Sequence, residues 1–575
     1  MTDSLGWDVP PAEGAGDEGD CPVTALGHAA GRYWFLTPDG ELRALAPRAM
    51  NGVEILALFA GDDTWMKAWF PAKGPGERYA WSLAGVQGWM LRACHAAGPF
   101  HADREVRGPG VWPVPAREGG GLIVHCGDAL YRAGPEAGGA LQPLGRAGVR
   151  LGRHIYPTAP AETPPAERPA DAAEAAAVLE VLDMWSWRAP THAAKLLLGW
   201  VCAGGVAGAL NWRPHVLVTG GQGSGKSTLL RLLRDDLLGS TAVGMSDSTE
   251  AGIRQALQGA ARPVFLDEIE NDNPERARAV VRLARLASTE GQGLVYRGSA
   301  DGKASAWPIR SSFLFSAIVF GRLRPQDANR IAILELDSLP VGLSNDVTPR
   351  QALLEALEGI EGAGPRLRRR MLDGWARFQA NLAALEHAVV RSGAAERVGD
   401  QLGTLLAAAE TVLRDEALSI DQAAELVADY VGEPDIVGYA DDSDQADALQ
   451  HLLTSSVMVH WPGEGSSVET VGEAIKEHWH RECAKKALRN HGLAVVEQGG
   501  GMWLAVANSH SGLARLFVGT PWQDAWRTPL RRVHGAVSAP DKISFGGVKA
   551  RATLLPWLEV FDEAAPKERA GAVRI

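Results

Sequence analysis

The stretch "HVLVTGGQGSGKSTLL", His215 to Leu230, contains the spacing GxxxxGK[ST] in Gly220-Gly221-Gln222-Gly223-Ser224-Gly225-Lys226-Ser227. Glycines let backbone N–H groups approach phosphate oxygens, and a helix beginning at the lysine adds its positive end at the same point. Lys226 is expected to reach the β- and γ-phosphates of a nucleoside triphosphate, and Ser227 to hold Mg²⁺. Thr228 closes the nucleotide-binding stretch. The cofactors expected here are ATP and Mg2+.

About forty residues on, "RPVFLDEIEND" carries Val264, Phe265 and Leu266 into Asp267 and Glu268. A buried strand that ends in a carboxylate offers a second hold on the metal, and a neighbouring carboxylate can polarise an attacking water. Asp267 is read as metal shell, Glu268 as water activator and Glu270 as a solvated carboxylate. The pair points to hydrolysis rather than binding alone. A third apolar run, "SSFLFSAIVF", is interrupted by Ser316, whose hydroxyl is suited to bridge the water and the γ-phosphate. Beyond it, in "GRLRPQDANRIAILELD", Arg330 stands immediately before a strand, with Arg322 and Arg324 in the loop ahead. An arginine inserted into a neighbouring subunit's site would stabilise charge developing on the γ-phosphate. Arg330 is the first candidate and Arg324 the second.

These residues need strands and helices to hold them. The run "HVLV" before the glycines and "STLLRLLRDDLL" after them predict a strand, a loop and a helix. Apolar strands separated by helices continue from Pro214 to about Asp337, an α/β pattern. Two helices precede it, over about Ala172–Trp187 and His192–Leu210. From Arg350 to about Val431 the apolar spacing is helical almost throughout. Residues 21–155 read as β-rich, with a Pro38-Asp39-Gly40 hairpin turn, a second turn at Gly127-Asp128 and a helix over "GWMLRACHAAG". Five prolines between Pro157 and Pro169 predict an extended linker over 156–171. Near the C-terminus, "GLAVVEQGGGMWLAVAN" predicts two strands about a glycine turn. The expected order is a disordered leader (1–20), β-rich domain (21–155), linker (156–171), ATPase core (172–340), helical lid region (341–441) and winged-helix-like domain (442–575).

The 575-residue chain is too long for one core, and its 46% apolar and 22% charged content is that of a globular protein. A net charge of −12 excludes an overall basic coat but not local basic strips. The five cysteines are scattered without CxxC spacing, which predicts neither disulfides nor a zinc site and suits a reducing cytoplasm. His95, His101 and His125 beside Cys94 and Cys126 fit no zinc pattern. The longest apolar run, Leu196–Leu210, is short of the ~20 residues that span a bilayer, so no membrane is expected.

The order of P-loop, apolar strand ending in Asp-Glu, serine-bearing strand and arginine before another strand resembles the AAA+ class. Within it, the chain is similar to superfamily 3 helicases and helicase-like ATPases of phages, prophages and plasmids. "CPVTALGHAAGRYWFL" and "VRGPGVW…LIVHCGD" resemble the front of prophage primase–helicase proteins. The resemblance implies a multidomain α/β protein with an AAA+-like core. It also implies a homo-oligomeric ring, by expectation hexameric, that hydrolyses ATP at subunit interfaces and pulls DNA through its centre during replication. A separate primase or other replication protein is an expected partner, since no primase site is found. Ser316 stands where asparagine is usual in the class.

Superfamily 3 proteins carry a basic hairpin between the second and third of these strands. "GLVYRGSADGKASAWPIRSS" fits, with an Asp301-Gly302 turn, Lys303 at the tip and Arg297 on the rising strand. A second nucleic-acid candidate is "HRECAKKALRNHG", which spaces Arg481, Lys485 and Arg489 along a helix with Lys486 alongside and Cys483, Ala484, Ala487 and Leu488 facing in. With the two strands that follow it, this resembles a winged helix. The "RLRRR" run at Arg366–Arg370 reads as solvated. A DNA helicase or DNA-remodelling ATPase is the leading reading. An ATP-gated switch, such as a helicase loader or a defence or signalling ATPase, is the alternative. A small-molecule kinase shares the P-loop but has no use for the later strands.

Overall fold

The computed structural model describes residues 21–72, 74, 78–134, 141–188, 190–221, 223–246, 248–267, 274–289, 308–317, 327, 330–337, 349–392, 396–431, 442–463, 465–476, 478–520, 522–523 and 525–561. The described residues of 21–317 and 330–431 form one compact unit, and those of 442–561 a second.

The first unit opens with an antiparallel sheet of β1 (Thr24–Ala29), β2 (Arg32–Leu36) and β3 (Leu42–Leu45), packed on α1 (Leu83–Ala97). The expected turn lies between β2 and β3. Gly40 has φ +83°, and a Cβ there would meet Gly148 Cα at 2.3 Å, so only glycine fits. A second antiparallel sheet holds β4 (Gly110–Pro113), β5 (Leu122–His125), β6 (Ala129–Ala133) and β7 (Gln142–Arg146), and β8 (Val149–Leu151) pairs with β9 (His154–Tyr156).

This second sheet is joined to the α/β core. Ala261 N–H donates to the Pro109 carbonyl at 2.8 Å, and Val111, Leu122 and Val124 share one apolar cluster with Trp200, Val216 and Leu229. Residues 156–171, read above as a linker, are extended but docked. Glu162 N–H donates to Cys126, Ala166 N–H to Pro365 and Ala170 N–H to Arg366. The buried Glu162 carboxylate meets Arg262 at 2.7 Å. The prolines set an extended backbone, but these partners turn a spacer into a strap.

At the strap's end, α2 (Ala172–Asp183) starts on a capping box in which Asp171 accepts from Glu174 N–H at 2.8 Å and Glu174 accepts from Asp171 N–H at 3.0 Å. The next helix, α3 (Pro190–Gly204), buries Leu196, Leu197, Leu198 and Trp200. No helix among the described residues is long and apolar enough to cross a membrane.

The core sheet is five-stranded and parallel, in the order β11 (Val243–Ser246), β12 (Val264–Asp267), β13 (Phe313–Ala317), β10 (His215–Gly220), β14 (Ile331–Leu336). Its strands are apolar runs, as sheets covered on both faces require. After β10 come α4 (Lys226–Arg231), a π-helical extension over Leu232–Leu238, and then α5 (Glu250–Leu257). The helix α6 (Pro274–Ala287) follows β12.

The helical region comprises α7 (Pro349–Gly359), α8 (Ala363–Asp373), α9 (Trp375–Arg391), α10 (Glu396–Leu413) and α11 (Ile420–Val431). It packs into the same apolar cluster as the sheet. At Gly199 on α3, a Cβ would lie 2.0 Å from the Leu405 carbonyl of α10, so glycine sets that close helix approach. Half-buried Lys195 and buried Glu410 pair across the same two helices at 2.9 Å.

The second unit runs α12 (Asp442–Thr454), the hairpin β15 (Ser456–Trp461) and β16 (Gly465–Thr470), α13 (Val471–Lys476), α14 (Glu482–Asn490), and the hairpin β17 (Leu493–Gln498) and β18 (Gly501–Ala507). Further on, β19 (Val537–Ser538) and β22 (Ala552–Pro556) extend the β17–β18 sheet, and β20 (Ile543–Phe545) and β21 (Val548–Ala550) form a separate hairpin. The expected Gly499-Gly500 turn joins β17 and β18, both glycines having positive φ.

Candidate nucleotide site

The chain leaves β10 for β11 on one side of the sheet and returns through β13 to β14 on the other. The carboxyl end of β10 is thus a topological switch point, where open α/β sheets leave a crevice. The glycine loop emerges there. Gly220 cannot carry a side chain, because a Cβ would meet Ser224 Oγ at 2.8 Å and Leu336 Cβ at 2.9 Å. Gly223 and Gly225 have φ of +85° and +80°, the left-handed turns that curl the loop before Lys226 begins α4. Positions 221 and 223 open onto free space, with nothing within 4 Å of an added Cβ. Ser224 is buried, and its hydroxyl finds no partner among the described residues. A buried orphan hydroxyl under an open, left-handed glycine loop fits a phosphate cradle. Lys226 and Thr228 are half-buried, and Ser227 is exposed.

The loop has one anchor with no local sequence signal. Trp185, buried just beyond α2, donates its indole N–H to the Gly225 carbonyl at 3.2 Å.

Strand register assembles the other groups. Ser316 on β13 pairs with Val218, two residues before the loop, and Phe315 pairs with Leu266, one residue before Asp267. Ser316 therefore sits between the glycine loop and Asp267 at one edge of the sheet. It is buried, and its hydroxyl finds no partner among the described residues. A cavity of about 20 Å³, room for one water, is lined by Leu230, Arg234, Phe265, Leu266, Asp267, Leu314 and Ser316. The Asp267 carboxylate is exposed at the strand end. Arg234 forks onto Asp235 at 2.7 and 2.9 Å, and that pairing raises its already high pKa, with a small contribution from Asp267. Neither Arg234 nor Trp185 stands in a motif that marks it for this site.

Arg330 lies elsewhere. It directly precedes β14, whose first residue pairs with His215, so it stands at the amino edge of the sheet. It is buried, with its guanidinium 5.6 Å from the Trp212 ring. Trp212 donates to Gln401 at 3.2 Å, and Gln401 donates to the His215 carbonyl at 2.7 Å, a clamp on the entry to β10. Gln222, Glu268, Glu270, Arg297, Lys303, Arg322 and Arg324 lie outside the described residues, as does nearly all of the expected basic hairpin.

On the second unit, Arg481 is the residue before α14 and stacks over Trp461 at 5.4 Å, so it caps the helix start instead of lying along its face. Lys486 and Arg489 are exposed, and Lys485 pairs with Glu482 at 3.2 Å. Ala484, Ala487 and Leu488 face inward as expected, with Cys483 half-buried.

No family profile and no curated protein matches the chain. Among solved structures it is similar to an active helicase, SCCmec type IV Cch, at 11% identity, with 92% of each chain covered and a TM-score of 0.47. The apo C-terminal region of NrS-1 aligns at 11% identity over 78% of this chain and 97% of that one, with a TM-score of 0.29. A full-length MCM homolog from Methanopyrus kandleri aligns at 15% identity over 56% and 73% of the two chains, with a TM-score of 0.26.

Proposed function

We propose that the chain is a Mg-dependent ATPase that moves or remodels DNA. The observation that carries this is the strand order, with the Ser316 strand wedged between the glycine-loop strand and the Asp267 strand. A kinase needs only the loop. A hydrolase needs a polar group between the γ-phosphate and a water held near a carboxylate, and buried Ser316 beside a water-sized cavity suits that task.

In this reading the loop from Gly220 to Thr228, with Gln222, cradles the phosphates of ATP, and Lys226 neutralises the β- and γ-oxygens. Ser227 and Asp267 would hold Mg²⁺, which supplies charge neutralisation when bound. Glu268 activates the water and Ser316 orients it. The trans-acting arginine falls to Arg324 before Arg330, because Arg330 would have to leave Trp212 to reach a neighbour. Hydrolysis at the interfaces of a hexameric ring, and DNA tracking by Lys303 and Arg297, complete the reading as the family resemblance implies it. The winged-helix-like second unit would add a duplex contact through α14.

The test is steady-state ATP hydrolysis by wild type and Lys226→Ala, with and without single-stranded DNA. The expected result is a severalfold DNA stimulation, with all turnover lost in the variant. Hydrolysis indifferent to DNA would instead favour the ATP-gated switch.

A further inference from the structure

The segment from Lys542 to Arg551, "KISFGGVKAR", holds three basic residues and no acidic one in a chain with twelve more acids than Lys and Arg. It forms the β20–β21 hairpin. Gly546 and Gly547 have φ of +54° and +91°, the two positive values that a tight type I′ turn needs. Alternation along the strands splits the hairpin into two faces. Phe545 is fully buried and Ile543 and Ala550 half-buried on one face, where Val548 at the turn stays exposed, while Lys542, Ser544, Lys549 and Arg551 are exposed. Ser544 and Lys549 are direct cross-strand partners. Asp541, just ahead of the hairpin, is the nearest acid in sequence.

The turn abuts the end of α14. A Cβ on Gly546 would lie 3.1 Å from Asn490 Oδ1 and 3.5 Å from the Arg489 carbonyl. An outward basic hairpin face therefore stands next to the last turn of the helix that exposes Lys486 and Arg489.

We propose that the β20–β21 hairpin is a second phosphate-gripping element, with Lys542, Lys549 and Arg551 on the backbone of duplex DNA whose groove receives α14. This rests on the reading of α14 as the nucleic-acid helix. B-form DNA is the fitting partner, because its major groove admits a helix whereas that of A-form RNA is too deep and narrow. Cations beside a groove-bound helix fix register on phosphates and carry no sequence preference.

The experiment measures affinity of the full chain for a labelled duplex of about 20 bp across about 50–200 mM salt. Each phosphate contact contributes about −0.9 to the slope of log K against log salt. The triple variant Lys542→Ala, Lys549→Ala, Arg551→Ala should bind more weakly to every duplex sequence, with a slope shallower by about 2 to 3. The charge-preserving triple K542R/K549R/R551K should keep the wild-type slope, which separates charge from folding. An unchanged slope in the alanine triple overturns the proposal, whatever α14 does. Lys486→Ala/Arg489→Ala tests α14 separately. If that pair leaves binding unaltered while the hairpin triple weakens it, the hairpin contact stands and the reading of α14 falls.

Discussion

Trp185 holds the glycine loop by its carbonyl: the indole N–H donates to Gly225 at 3.2 Å from forty residues upstream. Gly225 is in a left-handed conformation directly before Lys226, so the bond fixes where the loop ends and the helix begins. A neutral hydrogen bond contributes about 1 kcal/mol, near fivefold in an equilibrium constant. Trp185→Phe keeps most of the ring and removes the donor. Nucleotide affinity measured by titration should fall about two- to tenfold, and the smaller ring in a buried site should also lower the unfolding midpoint modestly. Undiminished affinity would show that the loop does not depend on this anchor.

Ser316 separates catalysis from stability. Its buried hydroxyl has no protein partner among the described residues, and an unsatisfied buried hydroxyl costs free energy in the fold. Ser316→Ala should therefore leave thermal stability unchanged or slightly raised. Its turnover number should drop by about 10²-fold if the hydroxyl orients the attacking water. A variant with wild-type turnover would reduce Ser316 to a small strand residue.

What was legible in the sequence was local. The glycine loop, the Asp267 strand and the β17–β18 turn are each specified within about a dozen neighbouring residues, and each forms where its pattern stands. Strand order is not local. That β13 lies between β10 and β12 follows from pairing across about fifty to a hundred residues, which no window of sequence contains. That Arg330 precedes a strand is legible locally, but its burial depends on Trp212, more than a hundred residues earlier. The prolines of 156–171 specify stiffness, but their docking depends on Arg262 and α8. The Gly546-Gly547 hairpin has a readable signal as well, paired glycines between Ile543-Ser544-Phe545 and Val548-Lys549-Ala550, in which apolar and polar residues alternate.

The strap makes a stability prediction. Glu162 is buried against Arg262, whose guanidinium also donates to the Ser240 carbonyl at 2.7 Å. Burial holds the Glu162 carboxyl above its ordinary range, and the two arginines, Arg262 and then Arg368, offset only part of that rise. Removing one member of a buried pair leaves the other charge uncompensated, which costs several kcal/mol when both are fully buried. Arg262 keeps some solvent access, so Glu162→Gln should cost about 2 kcal/mol, read as a lowered denaturation midpoint. Because the pair ties the strap to the chain just before β12, the same variant should make 156–171 more open to proteolysis. A variant as stable and as protease-resistant as wild type would reduce the pair to an incidental contact.

Three buried histidines set the response to acid. His215 donates from Nε2 to the Ala284 carbonyl at 2.7 Å and accepts the Phe313 N–H on Nδ1 at 3.0 Å, so a proton on Nδ1 would face another N–H. Burial pulls its pKa down to about 3, and those of His125 and His154 down to about 4, from an ordinary 6.5. The unfolded chain therefore takes up protons below pH 6.5 that the native fold refuses. The contribution of these rings to stability is complete above pH 6.5 and declines as pH falls toward about 4, with His215 extending the loss toward about 3. The unfolding temperature should accordingly be several degrees lower at pH 5 than at pH 7. His215→Gln, which removes one such group, should be less stable at pH 7 yet show a shallower decline with acid. An unfolding temperature that stays level from pH 7 to 5 would mean that these rings accept protons within the fold. The clamp at the entry to β10 would then tolerate a charge that its hydrogen bonds argue against.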